Sequence, residues 1–305
     1  MTRAPLTKKT GLCFRRGFFI ALLALALLSC GTNNGMGSAP ALMELDESLY
    51  LPEKERILWQ KITGCDFAEY FLYENKSYPI RYHCVRIDLS KKISVVTFPN
   101  SDDDFISGKD GRTEFIRGMT AETFSTDFDS LITVNAAPFE GRWRLLPLSS
   151  KRKIIGVHVA GKNELSKPRP RYGALALRRS GGGWLGKIFS SQYEDYSEFD
   201  FVFGGFFTIL SDGKQEDFAW KSNDSRTAAG LSEDGRTLYL LVVEGEKAGE
   251  SAGLSYPECA RIMLALGASD AVQMDGGGSS SLFINKKNAL SYSSLRKNAV
   301  FMGFK

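Results

Sequence analysis

The chain has 305 residues and a formal net charge of +4, with 43% hydrophobic and 24% charged residues. That is ordinary globular material for one large domain or two small ones. Much of the positive excess lies before residue 20, in Arg3, Lys8, Lys9, Arg15 and Arg16, and the balanced remainder offers no footprint for nucleic acid. His83 and His158 are the only histidines, which leaves a cysteine-nucleophile mechanism without support. Neither a phosphate-loop pattern nor a nucleotide glycine fingerprint is present.

The N-terminus reads as a targeting segment. A basic region ends at Arg15-Arg16, and the apolar run from Phe18 to Leu28 is short for a membrane span but has the length of a signal-peptide core. Leu27-Leu28-Ser29-Cys30 resembles a bacterial lipobox, in which Cys30 becomes the lipid-bearing first residue; the bland alternative is a plain secretory signal with an incidental cysteine. The expected organisation is a lipoprotein signal over 1–29 and a flexible tether over 30–41. A helical lead-in with the first strand follows over 42–79, then one catalytic-type domain over 80–305. The implied location is the bacterial cell envelope, exported and membrane-anchored. Cys65, Cys84 and Cys259 have no metal-ligand spacing; export permits a Cys65–Cys84 disulfide, with buried free thiols the equal alternative.

In chain order, Ala41 to Ile62 shows a recurring apolar face interrupted by Pro52 and predicts a helix. Strands are predicted over Ala68–Tyr73, Tyr82–Leu89 and Ile93–Phe98, with His83 on the strand surface. Asn100 to Asp104 is an acidic turn that could hold a cation or simply be solvated. A helix over Thr120–Phe128 precedes the strand Leu131–Val134. That strand ends at Asn135, which suits either a site or a turn cap. Further strands are predicted over Ile154–Val159, Gly173–Leu177 and Phe201–Leu210, the last with Gly204-Gly205 marking a bulge or close backbone approach. Arg226 enters a hairpin closed by Asp234-Gly235, where its guanidinium fork suits phosphate or carboxylate, or an ion pair across the sheet. Glu244 ends the strand Thr237–Val243. Ser255, Pro257 and Glu258 form a capping box for a helix ending at Gly267, which gives Glu258 a structural role. The strand Ala271–Met274 then leads to Asp275-Gly276-Gly277-Gly278-Ser279-Ser280-Ser281 and a second apolar run, Leu282–Ile284. Three glycines cost backbone entropy and suit a ligand pressed against exposed N–H groups; a decorated glycine-rich hairpin is the alternative. A last strand is predicted from Ser294 to Phe301. Many short strands, few helices and frequent glycine turns predict an α+β fold with a mixed, largely antiparallel sheet and a few packed helices.

Several motifs, in order, resemble the phosphodiester glycosidase family, bacterial relatives of the mannose-6-phosphate uncovering enzyme, N-acetylglucosamine-1-phosphodiester α-N-acetylglucosaminidase. They are Asn135-Ala-Ala-Pro-Phe139, Ile155-Gly156 through Gly161-Lys162, Gly204-Gly205 through Lys214, Ser225-Arg226-Thr227-Ala228-Ala229-Gly230, Asp275-Gly-Gly-Gly-Ser-Ser280 and Arg296 to Ala299. The resemblance spans roughly 80–305. It implies hydrolysis of a sugar-1-phosphodiester, releasing the sugar and leaving a phosphomonoester, through an oxocarbenium-like centre that needs carboxylates. Asp275 and Glu244 are then the expected catalytic carboxylates. Asn135, Arg226, Gly276, Gly277, Gly278, Ser279 and Asn298 are the expected substrate-binding residues. The substrate is a glycan or sugar phosphodiester, the other partner is the membrane through a lipid anchor, and nucleic acid is not expected. No cofactor is certain, and a divalent cation stays open. Two departures stand out. Ala136 and Ala137 replace family glycines and would narrow the approach to a ligand, and Glu246 puts a negative charge where a positive one is usual. The alternative reading is a non-catalytic glycan-binding envelope lipoprotein that keeps the fold.

Overall fold

The run Thr237–Val243 is apolar at both odd and even positions, so as a strand it needs cover on both faces. It receives it. Leu238, Leu240 and Val242 enter a core with Val85, Ile87, Val134 and Phe301. Tyr239, Leu241 and Val243 enter a second core with Cys259, Ala260 and Met263 of the helix Tyr256–Leu266. The computed structural model describes residues 45–107, 114–141, 150–218, 222–247 and 249–305. The expected signal, Cys30 and the tether lie outside the described residues.

This strand sits inside an eight-stranded sheet ordered Gln60–Lys61, Ala68–Asn75, Ile80–Asp88, Thr237–Val243, Arg226–Leu231, Asp270–Gln273, Thr208–Ser211 and Lys214–Gln215. A five-stranded sheet supplies the other side of the first core: Lys287–Asn288, Leu282–Ile284, Ile132–Asn135, Phe301–Phe304 and Val95–Phe98. A further five-stranded and a four-stranded sheet complete the described architecture. The expectation of a mixed, largely antiparallel sheet with a few packed helices holds for the antiparallel pairing and the few helices and is corrected in the number of sheets. Among the described residues there are four sheets, and every strand pairing is antiparallel. The α-helices among the described residues are Ala121–Asp127 and Tyr256–Leu266, so the fold is largely β.

Three predicted elements differ from what forms. The lead-in is not a helix over its described part: it makes 3-10 turns at Glu47–Leu49 and Lys54–Arg56 and a short strand at Gln60–Lys61. Pro52 interrupts it, and tertiary contacts claim the backbone, with Tyr73 and Tyr82 donating to the carbonyls of Leu49 and Tyr50. The run Phe201–Leu210 divides into Phe201–Gly204 and Thr208–Ser211, which lie in different sheets. The two glycines allow the crossing, since a Cβ on Gly204 would lie 2.7 Å from the Val157 carbonyl oxygen and one on Gly205 2.6 Å from that of Gln273. The last strand is Phe301–Phe304; most of Ser294–Val300 is irregular.

Cys65, Cys84 and Cys259 are free thiols. Cys65 packs on the first core and Cys84 lies in the second, so they belong to opposite faces of the sheet.

Gly205→Ala is expected to destabilise the protein by about 2 kcal/mol, because the new methyl meets strand backbone that leads directly to Asp275. Gly249→Ala, where nothing lies within 4 Å, is the control and should stay within about 0.5 kcal/mol. Chemical denaturation of both variants checks this, and equal midpoints would refute the crowding argument.

Candidate functional site

Antiparallel pairing brings the two sequence-predicted strand ends to one edge of the large sheet. Arg226 pairs with Val243, so the start of one strand meets Glu244 at the end of the next. Ala228 pairs with Gln273, so the strand leading to Asp275 ends alongside. From there the chain crosses to Leu282–Ile284, which pairs with Ile132–Asn135 of the other sheet. The glycine loop is therefore the seam between two sheets.

Asn135 closes that seam. Its Nδ2 donates to the Asp275 carbonyl at 2.7 Å, and its Oδ1 accepts from Thr227 Oγ1 at 2.9 Å and from the Ser281 N–H at 3.0 Å. The Asp275 N–H donates to the Ala136 carbonyl at 2.9 Å. Expected as a ligand contact, Asn135 instead spends its amide on the loop and acts as a positioning residue. The loop makes a 3-10 turn over Gly277–Ser279, with Gly277 at φ +56°, a backbone angle that glycine takes without strain. The Gly277 N–H is spent on the Ser225 carbonyl. That of Gly276 lies against the Asp275 carboxyl, and that of Gly278 donates to none of the described residues.

Burial pushes the Asp275 carboxyl up to about 6, against the downward pull of the Ser279 hydroxyl, the Arg296 charge and the Gly276 N–H. Arg296 comes from the strap 289–298, which lies over the loop: Ser294 Oγ donates to the Gly278 carbonyl at 3.0 Å and Asn298 Nδ2 to that of Ser279 at 2.8 Å. Arg296 Nη1 lies 3.2 Å from where a Gly278 side chain would begin. The guanidiniums of Arg296 and Arg152 are each 5.3 Å from the centre of the Phe139 ring. Buried polar atoms beside the loop, among them Ser280 Oγ, Ser281 Oγ and Asn298 Oδ1, find no hydrogen-bond partner among the described residues. Such atoms mark capacity for a polar ligand or water.

Glu244 is in the opposite condition. It is 1% exposed. Its Oε1 takes His83 Nε2 at 2.7 Å, the Ser291 N–H at 2.9 Å and the Arg81 guanidinium at 3.2 Å, while Oε2 takes the Ser291 hydroxyl. Despite burial, the donors hold its carboxyl down at about 2. Tyr70 closes the chain with its hydroxyl 2.7 Å from His83 Nδ1. A carboxylate only accepts, so His83 carries its proton on Nε2 and accepts from Tyr70. Burial lowers the His83 pKa and keeps the ring neutral. His83 is thus fully buried rather than on a strand surface, and Glu244 anchors the strap through Ser291 rather than facing a ligand.

Arg226 is 8% exposed. Nε donates to the Leu254 carbonyl at 3.0 Å and Nη2 to that of Ser222 at 2.7 Å. Nη1 donates to none of the described residues. The rim also carries acid. Glu246 Oε1 accepts from Ser225 Oγ at 3.3 Å, and Glu246 Oε2 and Asp224 Oδ2 lie 3.8 and 3.6 Å from where side chains on Gly278 and Gly277 would begin. Burial pushes the neighbouring Tyr292 phenol up to about 12. Arg296, Tyr292 and Asp224 were not among the residues predicted for the site. Ala136 and Ala137, expected to narrow the approach, are 0% and 2% exposed and point into the first core. Among the described residues no group of three His, Cys, Asp or Glu could hold a metal ion. The acidic turn caps itself, with Asp104 accepting from the N–H groups of Asn100 and Ser101.

No curated protein matches the chain. Among solved structures it is similar to the catalytic domain of zebrafish N-acetylglucosamine-1-phosphodiester alpha-N-acetylglucosaminidase, auto-inhibited by its pro-peptide. The TM-score is 0.56 at 14% identity, over 80% of this chain and 85% of that one. It is also similar to a hypothetical protein from Synechocystis, with a TM-score of 0.57 at 14% identity, over 81% of this chain and 63% of that one. At this identity the likeness is one of fold. The sequence profile of the phosphodiester glycosidase family matches residues 149–304, half of the chain, a span that holds Arg226, Asp275 and the strap but not Asn135. This chain belongs to the phosphodiester glycosidase family.

Proposed function

We propose that this protein is an exported hydrolase that cleaves a sugar-1-phosphodiester on an envelope or environmental glycan, releasing the sugar and leaving a phosphomonoester. The observation that carries the reading is Asp275: a desolvated carboxyl held near 6, beside Arg296 and a glycine loop with unspent polar atoms. Perturbed carboxyls of this kind concentrate where proton transfer happens. In the reaction, water adds to the anomeric carbon as the bond from that carbon to the phosphate oxygen breaks. The electron pair leaves with the phosphate, and a base takes the water proton. A phosphate is stable as an anion and needs little acid help, so the ionised form of Asp275 is the working one. Arg296, Nη1 of Arg226 and the Gly278 N–H suit the phosphate charge.

Asp275→Asn is expected to lower kcat/KM on a model sugar-1-phosphodiester by about a thousandfold. Turnover equal to wild type would remove Asp275 from the chemistry. Wild-type kcat/KM should rise with pH through about 6. Removing the cation in Arg296→Leu raises the carboxyl further, so the rising limb should move to higher pH. A falling limb near 6 would instead make Asp275 an acid.

The second reading is a glycan-binding lipoprotein without turnover. The burial of Glu244 among His83, Arg81 and Ser291 favours it, since the second expected carboxylate is withdrawn from the surface. Binding of the diester with no product in wild type would establish it. Under either reading Glu244 is structural. Its folded pKa lies below the usual carboxylate value, so its contribution to stability is complete above about 4.5 and is lost as pH falls toward 2. Glu244→Gln should cost about 3 kcal/mol at neutral pH and flatten stability between pH 4.5 and 2. A variant as stable as wild type at pH 7 would contradict this.

We further propose that Cys30 carries the lipid that holds the protein to the membrane. Cys30→Ala should move it from the membrane fraction to the soluble one, and unchanged retention would refute lipidation there.

A further inference from the structure

Arg226 joins the glycine loop to a feature that the hydrolytic reading leaves unused. Its Cδ lies 3.9 Å from where a Gly276 side chain would begin, and its guanidinium sits 4.5 Å over the ring of Tyr256. From Tyr256 a continuous array of rings runs outward. Phe218 and Phe207 follow at centroid separations of 5.4 and 6.3 Å, and Tyr172 lies 5.6 Å beyond Phe207. Phe206 sits 5.3 Å from Tyr172. Phe207 is 37% exposed, and the other four rings are half-buried. The shelf hangs on the strand that feeds Asp275: the Phe206 N–H donates to the Gln273 carbonyl at 2.6 Å, and the Gln273 N–H to that of Phe207 at 2.9 Å. Single exposed rings are ordinary, but five contiguous ones ending at a charged loop are not.

We infer that this shelf is the subsite for an apolar aglycone, an alkyl or acyl chain on the far side of the phosphate; the inference rests on the phosphodiester reading above. Three features select a chain of methylenes over a second sugar. Phe206, Phe207 and Phe218 supply no polar atom for sugar hydroxyls. One face of each tyrosine is taken, by Arg226 over Tyr256 and by Arg169 at 5.6 Å over Tyr172, whereas a sugar stacks on an open ring face. Five of the six ring pairs are tilted by 53° to 79° to one another, so the rings share no common plane on which a flat sugar face could lie across them. Arg226 fixes the direction, with the phosphate at its guanidinium on the loop side and the chain running toward Phe207.

The test measures binding of decyl phosphate, below its micelle concentration, and of methyl phosphate to the full chain by calorimetry. Decyl phosphate should bind at least about 30-fold more tightly, given roughly 0.8 kcal/mol for each methylene fully buried and partial burial here. Phe207→Ala should remove about tenfold of that advantage and leave methyl phosphate unchanged, while Phe207→Leu should keep most of it. Equal wild-type affinities, or an advantage that survives both Phe207→Ala and Tyr172→Ala, would overturn the inference. Turnover of the decyl and methyl diesters of one sugar separates it from the parent reading. Tight decyl phosphate binding with no hydrolysis of either diester supports the shelf and removes the hydrolase. Hydrolysis of both with equal KM removes the shelf and keeps the hydrolase.

Discussion

One side chain decides the geometry of this site. Asn135 has one acceptor oxygen and one donor group, and it spends them on three atoms that would otherwise have no reason to stay together: the carbonyl of Asp275, the hydroxyl of Thr227 and the N–H of Ser281. Those atoms belong to the two ends of the glycine loop and to the neighbouring strand of the large sheet. A loop with three consecutive glycines has a wide choice of backbone angles. Buried hydrogen bonds at both ends remove that choice, because leaving any of these groups unpaired costs its desolvation. The strap 289–298 then has a fixed floor to close over.

Two carboxylates near the same sheet edge show how environment sets their roles. Both are desolvated. Glu244 is met by a histidine, an arginine and two groups of Ser291, and is held in the ionised form. Asp275 has the Ser279 hydroxyl, the Arg296 charge and the Gly276 N–H beside it, and burial still outweighs them. The first is thereby committed to structure and the second is poised to exchange a proton near neutral pH. The buried triplet Tyr70, His83 and Glu244 looks like catalytic machinery when viewed as a hydrogen-bond chain. Its terminal carboxylate is buried and already met by His83, Arg81 and Ser291, so it transmits position through Ser291 to the strap that carries Arg296 and Asn298.

The parts of this arrangement that were legible in the sequence share a property: they are local. The Asp-Gly turn at 234–235, the capping box at Ser255 and the glycine run at 276–278 each announce a backbone need within a few residues. Alternation along Tyr82–Leu89 located a strand, but the same alternation put His83 on the outside. It could not anticipate that Tyr70 and Glu244, 13 and 161 positions away, would cover and pair with it. The lead-in failed for a similar reason. Its apolar face suggested a helix, but the Leu49 and Tyr50 carbonyls serve tyrosines of neighbouring strands. Glu244 was singled out for its charge at a strand end, and only its partners show that the charge is already neutralised.

The same distinction changes what the departures from the family pattern mean. Alanines at 136 and 137 looked like methyl groups thrust toward a ligand. Both point into the core between the sheets, where added methyls contribute to packing and leave the loop unobstructed. Glu246 remains on the ligand side, exposed and within reach of Gly278. Its carboxylate and that of Asp224 oppose an anionic ligand, but Arg296 stands closer to the same glycine than either. The net field therefore suits a ligand with one negative charge more than one with two. A phosphodiester carries one and a phosphomonoester nearly two, so under the proposed hydrolytic reading the acidic rim would favour binding of the diester and release of the monoester.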